Sequence, residues 1–346
     1  MERRFNEHKD IKPVKAAPIQ NTRVTSSTTV EVVEKSISQV VNVEDSIITK
    51  SFNYTGRPFI SHGRNISFDM PEFGDSVKVD GKDFDLSTPI SLNTNMAVYS
   101  YDDKNQVKIF SEDLLNSTLV EKLRAMIENP LHVENISWPS KFVLNDEDHI
   151  VGVLENKVPG ITLKKALKAL KEPTKDNKAK LFKLIISYLN LVKKLQSLNI
   201  FVGQCNFNSI LVNNEIVVLT NLEKLQVGDF EFIRGEEELD APELKQNNHV
   251  CASLESDKFV VATVIFKLLF NFKHPYIINN DGNKEVLSFI FENNHEDTLY
   301  PLWDSLPKEL KKSFTDTFVE GLKDSTKRIT THEWISLFKS ALEELK

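Results

Sequence analysis

Cysteine is scarce in this chain, with only Cys205 and Cys251 among 346 residues. Two thiols so far apart form neither a disulfide framework nor a CxxC metal site, so buried free thiols are expected. Long apolar runs are missing too. The longest, Phe259 to Phe270, is broken by Lys267 and falls short of the roughly 18 residues that a membrane-spanning helix needs. The opening residues, MERRFNEHKD, carry charge where a secretory signal needs an apolar stretch, so the expectation is a cytoplasmic protein without membrane contact. The eight histidines form no HxxxH or HExxH pattern, and there is no G-x-S-x-G elbow. Metal-centred and serine-hydrolase chemistry are thereby set aside. Nor is there an excess of basic charge: the formal net charge is −7, and the lysines are interspersed with acids. That pattern argues against attraction to nucleic-acid phosphates.

What is present is an ordinary globular composition, 40% apolar and 27% charged, on a chain longer than one core usually supports. Two lobes and a tail are expected. Residues 1–75 hold a Ser/Thr/Val-rich stretch that cannot build a core alone. Val33, Ile37, Val40 and Ile47 suit a helical stripe, while Thr29-Val30-Glu31-Val32 alternates like a strand. A disordered tail, a partner-binding arm and a self-association arm all stay open for this segment.

Residues 76–158 read as short strands and hairpins (VKVDGKDFDL, AVYSYDD, QVKIFSED, KFVLNDEDHIVGVLEN) interrupted by one helix, STLVEKLRAMIEN. Leu119, Leu123 and Met126 mark that helix's buried face, and Ser117 or Thr118 is its expected cap. Residues 159–346 turn helical, with apolar positions at helical spacing from Leu181 to Leu195. Two strand-like runs, 209–212 and 215–220, are joined at Asn213-Asn214 as a hairpin. SDKFVVATVIFKLLF is apolar around its circumference and predicts a helix buried on every side. Amphipathic helices are expected around 285–292, 307–322 and 331–345. The fold class is therefore α+β, a small antiparallel β lobe followed by a larger helical lobe.

Five stretches, in order, resemble the two-lobed protein-kinase fold. They are AVYSYDDKNQVKIF, VEKLRAMIENPLHVENISWP, HIVGVLENKVPG, NIFVGQCNFNSILVNNEIVVLTNLEKLQVG, and APEL with SDKFVVATVIFKLLFNFKHPY, closing at KDSTKRITTHEW. The chain looks most like the bacterial kinase-like family whose members often carry helix-hairpin-helix repeats, over roughly residues 88–340. The repeats themselves are not evident here.

The resemblance places Lys108 like the phosphate-binding lysine, with Glu121 as its expected partner. It places Gln204 at the catalytic aspartate, Ser209 at the metal-binding asparagine and Asn221 at the metal-binding aspartate. A glutamine amide is no general base, and magnesium prefers carboxylates to the neutral oxygens of Ser and Asn. The phosphate cradle is missing as well: no glycine lies between Gly81 and Gly152, and the corresponding turn reads Leu92-Asn93-Thr94-Asn95-Met96. Three structural positions are kept. Asp257 opens the buried helix, and Glu243 and Arg328 stand where the family has a buried ion pair.

The resemblance thus implies a pseudokinase, a non-catalytic scaffold or allosteric regulator that binds proteins. Signalling kinases, phosphatases or von Willebrand-type domain proteins are the implied partners. No metal is expected, although Asn206 and Glu223 are the residues that an altered arrangement would offer one, and no cofactor other than ATP is expected, for which Lys108, Glu121 and Asn206 would form a vestigial site. Two competing expectations remain. One is a divergent nucleotide-binding transferase using Lys108. The other is a structural assembly or virion-associated protein attached through its N-terminal region.

Overall fold

The computed structural model describes residues 70–170, 172, 174–203, 207–233, 241–245, 251–281, 284–291 and 299–346. The two readings of the segment around Thr29 to Ile47, and the arm expected there, lie outside the described residues, as do Gln204, Cys205 and Asn206.

Strands β1 (Ser76–Val79) and β2 (Lys82–Asp85) form a hairpin. Its turn is Asp80-Gly81, with φ of 55° and 73°, the left-handed pair that a two-residue hairpin loop requires. A meander follows, β3 (Ser91–Asn93), β4 (Met96–Ser100) and β5 (Asn105–Phe110). Helix α1 (Ser117–Glu128) comes next, and then the hairpin of β6 (Pro139–Leu144) and β7 (Ile150–Asn156). All seven strands join one antiparallel sheet in the order β2-β1-β6-β7-β5-β4-β3. The central strand, β7, is buried from Val151 through Glu155, which is why its sequence runs apolar instead of alternating.

Period-2 alternation sorts the sheet's side chains between two cores. Val107 and Ile109 of β5 join Val77, Val79, Val143 and Val151 in a small cluster, while Phe110 joins Leu119, Leu123 and Met126 of α1 in the large one. The large cluster is continuous with the helical part of the chain.

That part begins with β8 (Ile161–Thr162), α2 (Leu163–Lys168) and α3 (Lys175–Ser197). Next come β9 (Ile200–Phe201), a 3-10 turn (Phe207–Ser209), the hairpin of β10 (Ile210–Asn213) and β11 (Ile216–Leu219), a second 3-10 turn (Leu222–Lys224), and β12 (Gln226–Val227), which pairs with β9. Helix α4 (Pro242–Lys245) precedes α5 (Leu254–Leu269), which is started by a Ser253/Ser256 capping box and is buried from Ser256 through Leu268. The strands β13 (Tyr276–Asp281) and β14 (Lys284–Phe289) pair, and then α6 (Tyr300–Asp304), α7 (Lys308–Thr315), a π-helical turn (Asp316–Glu320), α8 (Gly321–Lys323) and α9 (Thr331–Glu343) close the chain. Helix α9 lies on α3, with the Phe182 and Phe338 rings edge to face at 5.4 Å. The class is α+β: an antiparallel sheet followed by a mainly helical region. Among the described residues no helix is long and apolar enough to cross a membrane.

Four local expectations need correction, the first being that Cys251, expected as a buried thiol, is exposed. The cap of α1 is Asn116, whose side chain accepts the Leu119 N–H, so Ser117 and Thr118 already lie inside the helix. The hairpin turn is Asn214-Glu215, with φ of 48° and 69°, one residue beyond the expected Asn213-Asn214. The segment expected to be a helix around 285–292 is the strand β14. The aromatic and β-branched run Tyr276-Ile277-Ile278 of its partner strand and the Asp-Gly pair that follows in the sequence are hairpin signals that outweigh a short helical spacing.

Candidate functional site: a buried ion cluster between sheet and helices

Lys108 lies in β5 between Val98 of β4 and Val153 of β7. The two strands meet closely beside it: a Cβ on Gly152 would stand 2.0 Å from the Lys108 carbonyl oxygen, so only glycine fits there. The Lys108 side chain leaves the sheet on the face opposite Val107 and Ile109 and is 1% exposed. Its Nζ meets Glu155 Oε2 at 2.9 Å and Glu223 Oε2 and Oε1 at 3.2 and 3.4 Å. An ammonium has three N–H donors, and three carboxylate oxygens surround this one. Glu155, on β7, also accepts from Gln106 Nε2 at 2.7 Å, so both of its oxygens are satisfied. Glu223 sits in the second 3-10 turn and is 2% exposed. Burial alone would lower the Lys108 pKa, but the charges of Glu155 and Glu223 outweigh it and hold the ammonium above the usual lysine range.

A second buried lysine lies close by. Lys122 occupies the apolar stripe of α1 formed by Leu119, Leu123 and Met126. Its Nζ donates to the carbonyl oxygens of Leu225 and Glu231, the latter at 2.9 Å. Here desolvation dominates and pushes the pKa down to about 7, against the attraction of Glu223 and Glu231. Two carboxylates and one ammonium carry a net charge of −1, and protonated Lys122 brings the group of four to neutrality.

The positions that the family resemblance assigns to metal binding are brought together. Asn221 sits in the left-handed region at φ 56°, and its Nδ2 donates to the buried Ser209 Oγ at 3.4 Å. The Ser209 carbonyl accepts the Thr220 N–H at 2.9 Å. This is a pair of neutral side chains bonded to each other. Among the described residues, no three His, Cys, Asp or Glu side chains gather as a metal site.

The structural positions are also in contact. Asp257, wholly buried at the start of α5, accepts the Gly203 N–H at 3.0 Å and Gln196 Nε2 at 2.7 Å. Gly203 holds φ 65° with Phe232 packed where a Cβ would fall, 2.5 Å from the ring. Arg328 grips both oxygens of Glu243, with Nη2 to Oε2 at 2.8 Å, and donates to the carbonyls of Gly321 and Glu255, each at 3.0 Å.

Glu121 requires a correction. Its carboxylate is half-exposed and lies 3.8 Å from Arg124 on the surface of α1, because the helix turns position 122, not 121, toward the interior. Lys108 is met by Glu155 and Glu223 in its place. Gln204 and Asn206 lie outside the described residues. Glu155 was missed in the sequence although a signal existed, an acid at the end of the apolar run Ile150-Val151-Gly152-Val153-Leu154. Lys122 gave a similar signal, a cation on an apolar helical stripe. No protein-family model and no curated protein sequence matches this chain.

Proposed function

We propose that this chain is a catalytically inactive, kinase-like protein of two lobes that acts by binding other proteins. The observation that carries the reading is the saturation of Lys108 by Glu155 and Glu223 in a site that is 1–2% exposed. A kinase pairs that lysine with a glutamate of the helix while keeping it open to phosphate, and it also supplies a catalytic carboxylate and anionic metal ligands. Here fold-internal carboxylates occupy the lysine, and Ser209 and Asn221 bond each other.

The order of elements supports the kinase-like part. A three-stranded meander carries the lysine in its last strand, a helix follows, a hairpin completes the sheet, and a helical region closed by Asp257 and the Glu243–Arg328 clamp comes after. The binding part is supported by the edge strand β3, beside and on which Ile90 and Leu92 are 59% and 72% exposed. An open strand edge with apolar side chains is a surface that a partner's strand can extend. Signalling kinases, phosphatases and von Willebrand-type domain proteins are the partner classes that the family resemblance brings to this reading.

The test is a melting-temperature titration of the full chain with ATP, with and without magnesium or manganese. The expected result is no shift at millimolar nucleotide. A saturable rise of several degrees would overturn the reading, since any ligand that binds only the folded state must raise its stability.

A further inference from the structure

Away from the ion cluster, the end of α2, the first turns of α3, the end of α5 and α6 enclose an open cleft of about 400 Å³. Its walls are apolar, formed chiefly by Leu170, Leu181, Phe182, Leu269, Leu302 and Leu306. Among the described residues one cation reaches into it. Lys178 Nζ donates to the Ser305 carbonyl at 2.7 Å and to Ser305 Oγ at 3.4 Å, and lies 5.8 Å from the centre of the Phe182 ring. Among the described residues no carboxylate pairs with Lys178, and its partial burial holds it below the usual lysine range.

The acids nearby do not meet this need. Asp176 of α3 pairs with Lys180 at 2.7 Å, and Asp304 of α6 lies 4.0 Å from Lys311. Glu172 stands exposed at the rim, its backbone carbonyl accepting Asn177 Nδ2 at 3.0 Å. Helices α2 and α3 also carry Lys164, Lys165, Lys168 and Lys175, the last donating to the Lys346 carbonyl at 3.3 Å. The cleft therefore joins an apolar trough to a partly desolvated ammonium. Its volume falls at the small end of ligand pockets, about 300–1,000 Å³, and suits a single chain of carbon better than a helix.

We propose that this cleft binds a medium-chain alkyl carboxylate, with the tail against Leu181, Leu269 and Leu302 and the carboxylate on Lys178. The tail covers the part of the apolar wall that is still open, and the carboxylate gives the ammonium the charged partner that none of the described residues supplies.

Calorimetric titration of the full chain with octanoate, decanoate and dodecanoate below their micelle concentrations, against 1-decanol as the neutral control, tests the assignment. One site per chain is expected, with affinity rising about fourfold per added methylene. Decanoate should bind about tenfold more tightly than decanol, as a charge-assisted bond implies. Lys178→Met keeps the apolar stem and should bring acid and alcohol within about twofold of each other. The fold of that variant is checked by circular dichroism, and the acid-to-alcohol ratio in the unmodified protein stands without it. Absence of saturable one-site binding of decanoate would sink the proposal. Equal affinity for decanol, or undiminished decanoate binding by the folded Lys178→Met variant, would do so as well.

Discussion

Lys108 and Glu223 are 115 residues apart in the chain, yet their charged atoms stand 3.2 Å apart with almost no solvent between them and the surrounding protein. The contact ties the sheet to the turn after β11, and Glu155 completes it from the neighbouring strand. Removing the cation leaves two buried carboxylates facing each other. Lys108→Met should therefore destabilise the protein by about 3–5 kcal/mol, measured by urea unfolding at pH 7. Glu223→Gln leaves Lys108 with Glu155 and should cost less, about 1–3 kcal/mol. The double variant should cost clearly less than the two losses added together, because each partner's removal relieves the other's stranded charge. Simple additivity would show that the cluster is not an energetic unit.

The clamp between Arg328 and Glu243 is lopsided, and its two halves should respond differently. The Arg328 side chain is 2% exposed and serves two backbone carbonyls besides Glu243, whereas Glu243 is 40% exposed. Arg328→Leu should cost about 3–5 kcal/mol, since Gly321, Glu255 and Glu243 all lose their donor. Glu243→Gln, with water able to replace part of the contact, should cost about 1 kcal/mol. Partial burial tends to raise the Glu243 pKa, but the bond from Arg328 outweighs it and the net shift is downward. A lowered folded-state value contributes stability above the unfolded value of 4.5, and this is lost as pH falls through the folded value. Acid unfolding of Glu243→Gln should accordingly be shallower than that of the unmodified protein.

The architecture was largely legible in the sequence because it rests on repeating signals. Alternation in VKVDGKDFDL and QVKIF marked strands, the Leu119, Leu123 and Met126 spacing marked α1, and the uninterrupted apolar run after Ser256 marked the all-round burial of α5. The partners of Lys108 were not legible in this way. Expecting Glu121 turned on which of two adjacent α1 residues, 121 or 122, faces inward, a rotation of about 100° per residue that apolar spacing resolves only if a lysine is accepted among the buried positions. Glu155 looked like the polar end of a strand, and only the pairing of Gln106 with Glu155 places it beside Lys108. β14 was misread for a similar reason, since six residues are too few to separate a helical period from a strand's.

Asp257 carries a stability term of opposite sign to that of Glu243. Burial raises its pKa from 3.8 to about 6, and the bonds from Gln196 and Gly203 offset this only in part. A carboxyl whose folded value is raised contributes stability that is full below the unfolded value and is lost as pH rises through the folded value. Between pH 4 and 7 the unmodified protein should therefore lose up to about 3 kcal/mol relative to Asp257→Asn, which cannot ionise. Paired urea titrations at the two pH values measure the difference. A constant gap between the proteins would mean that Asp257 does not titrate in that window.

Lys122 makes the last prediction, and its sign follows from which state holds the proton. In the unfolded chain the amine keeps its proton up to about 10.5, while burial in the apolar stripe of α1 makes the folded protein release it near pH 7. Between those values the unfolded state binds more protons, so stability should rise with pH by as much as about 1.4 kcal/mol per unit from this group. The comparison must be with Lys122→Met, which keeps the stem and removes the titration of this one group. The difference in unfolding free energy between the two proteins should move toward the unmodified one from pH 7 to 9.5. If that difference stays flat, Lys122 is held charged throughout by Glu223, and the neutral four-charge group becomes a permanent feature of the junction between sheet and helices.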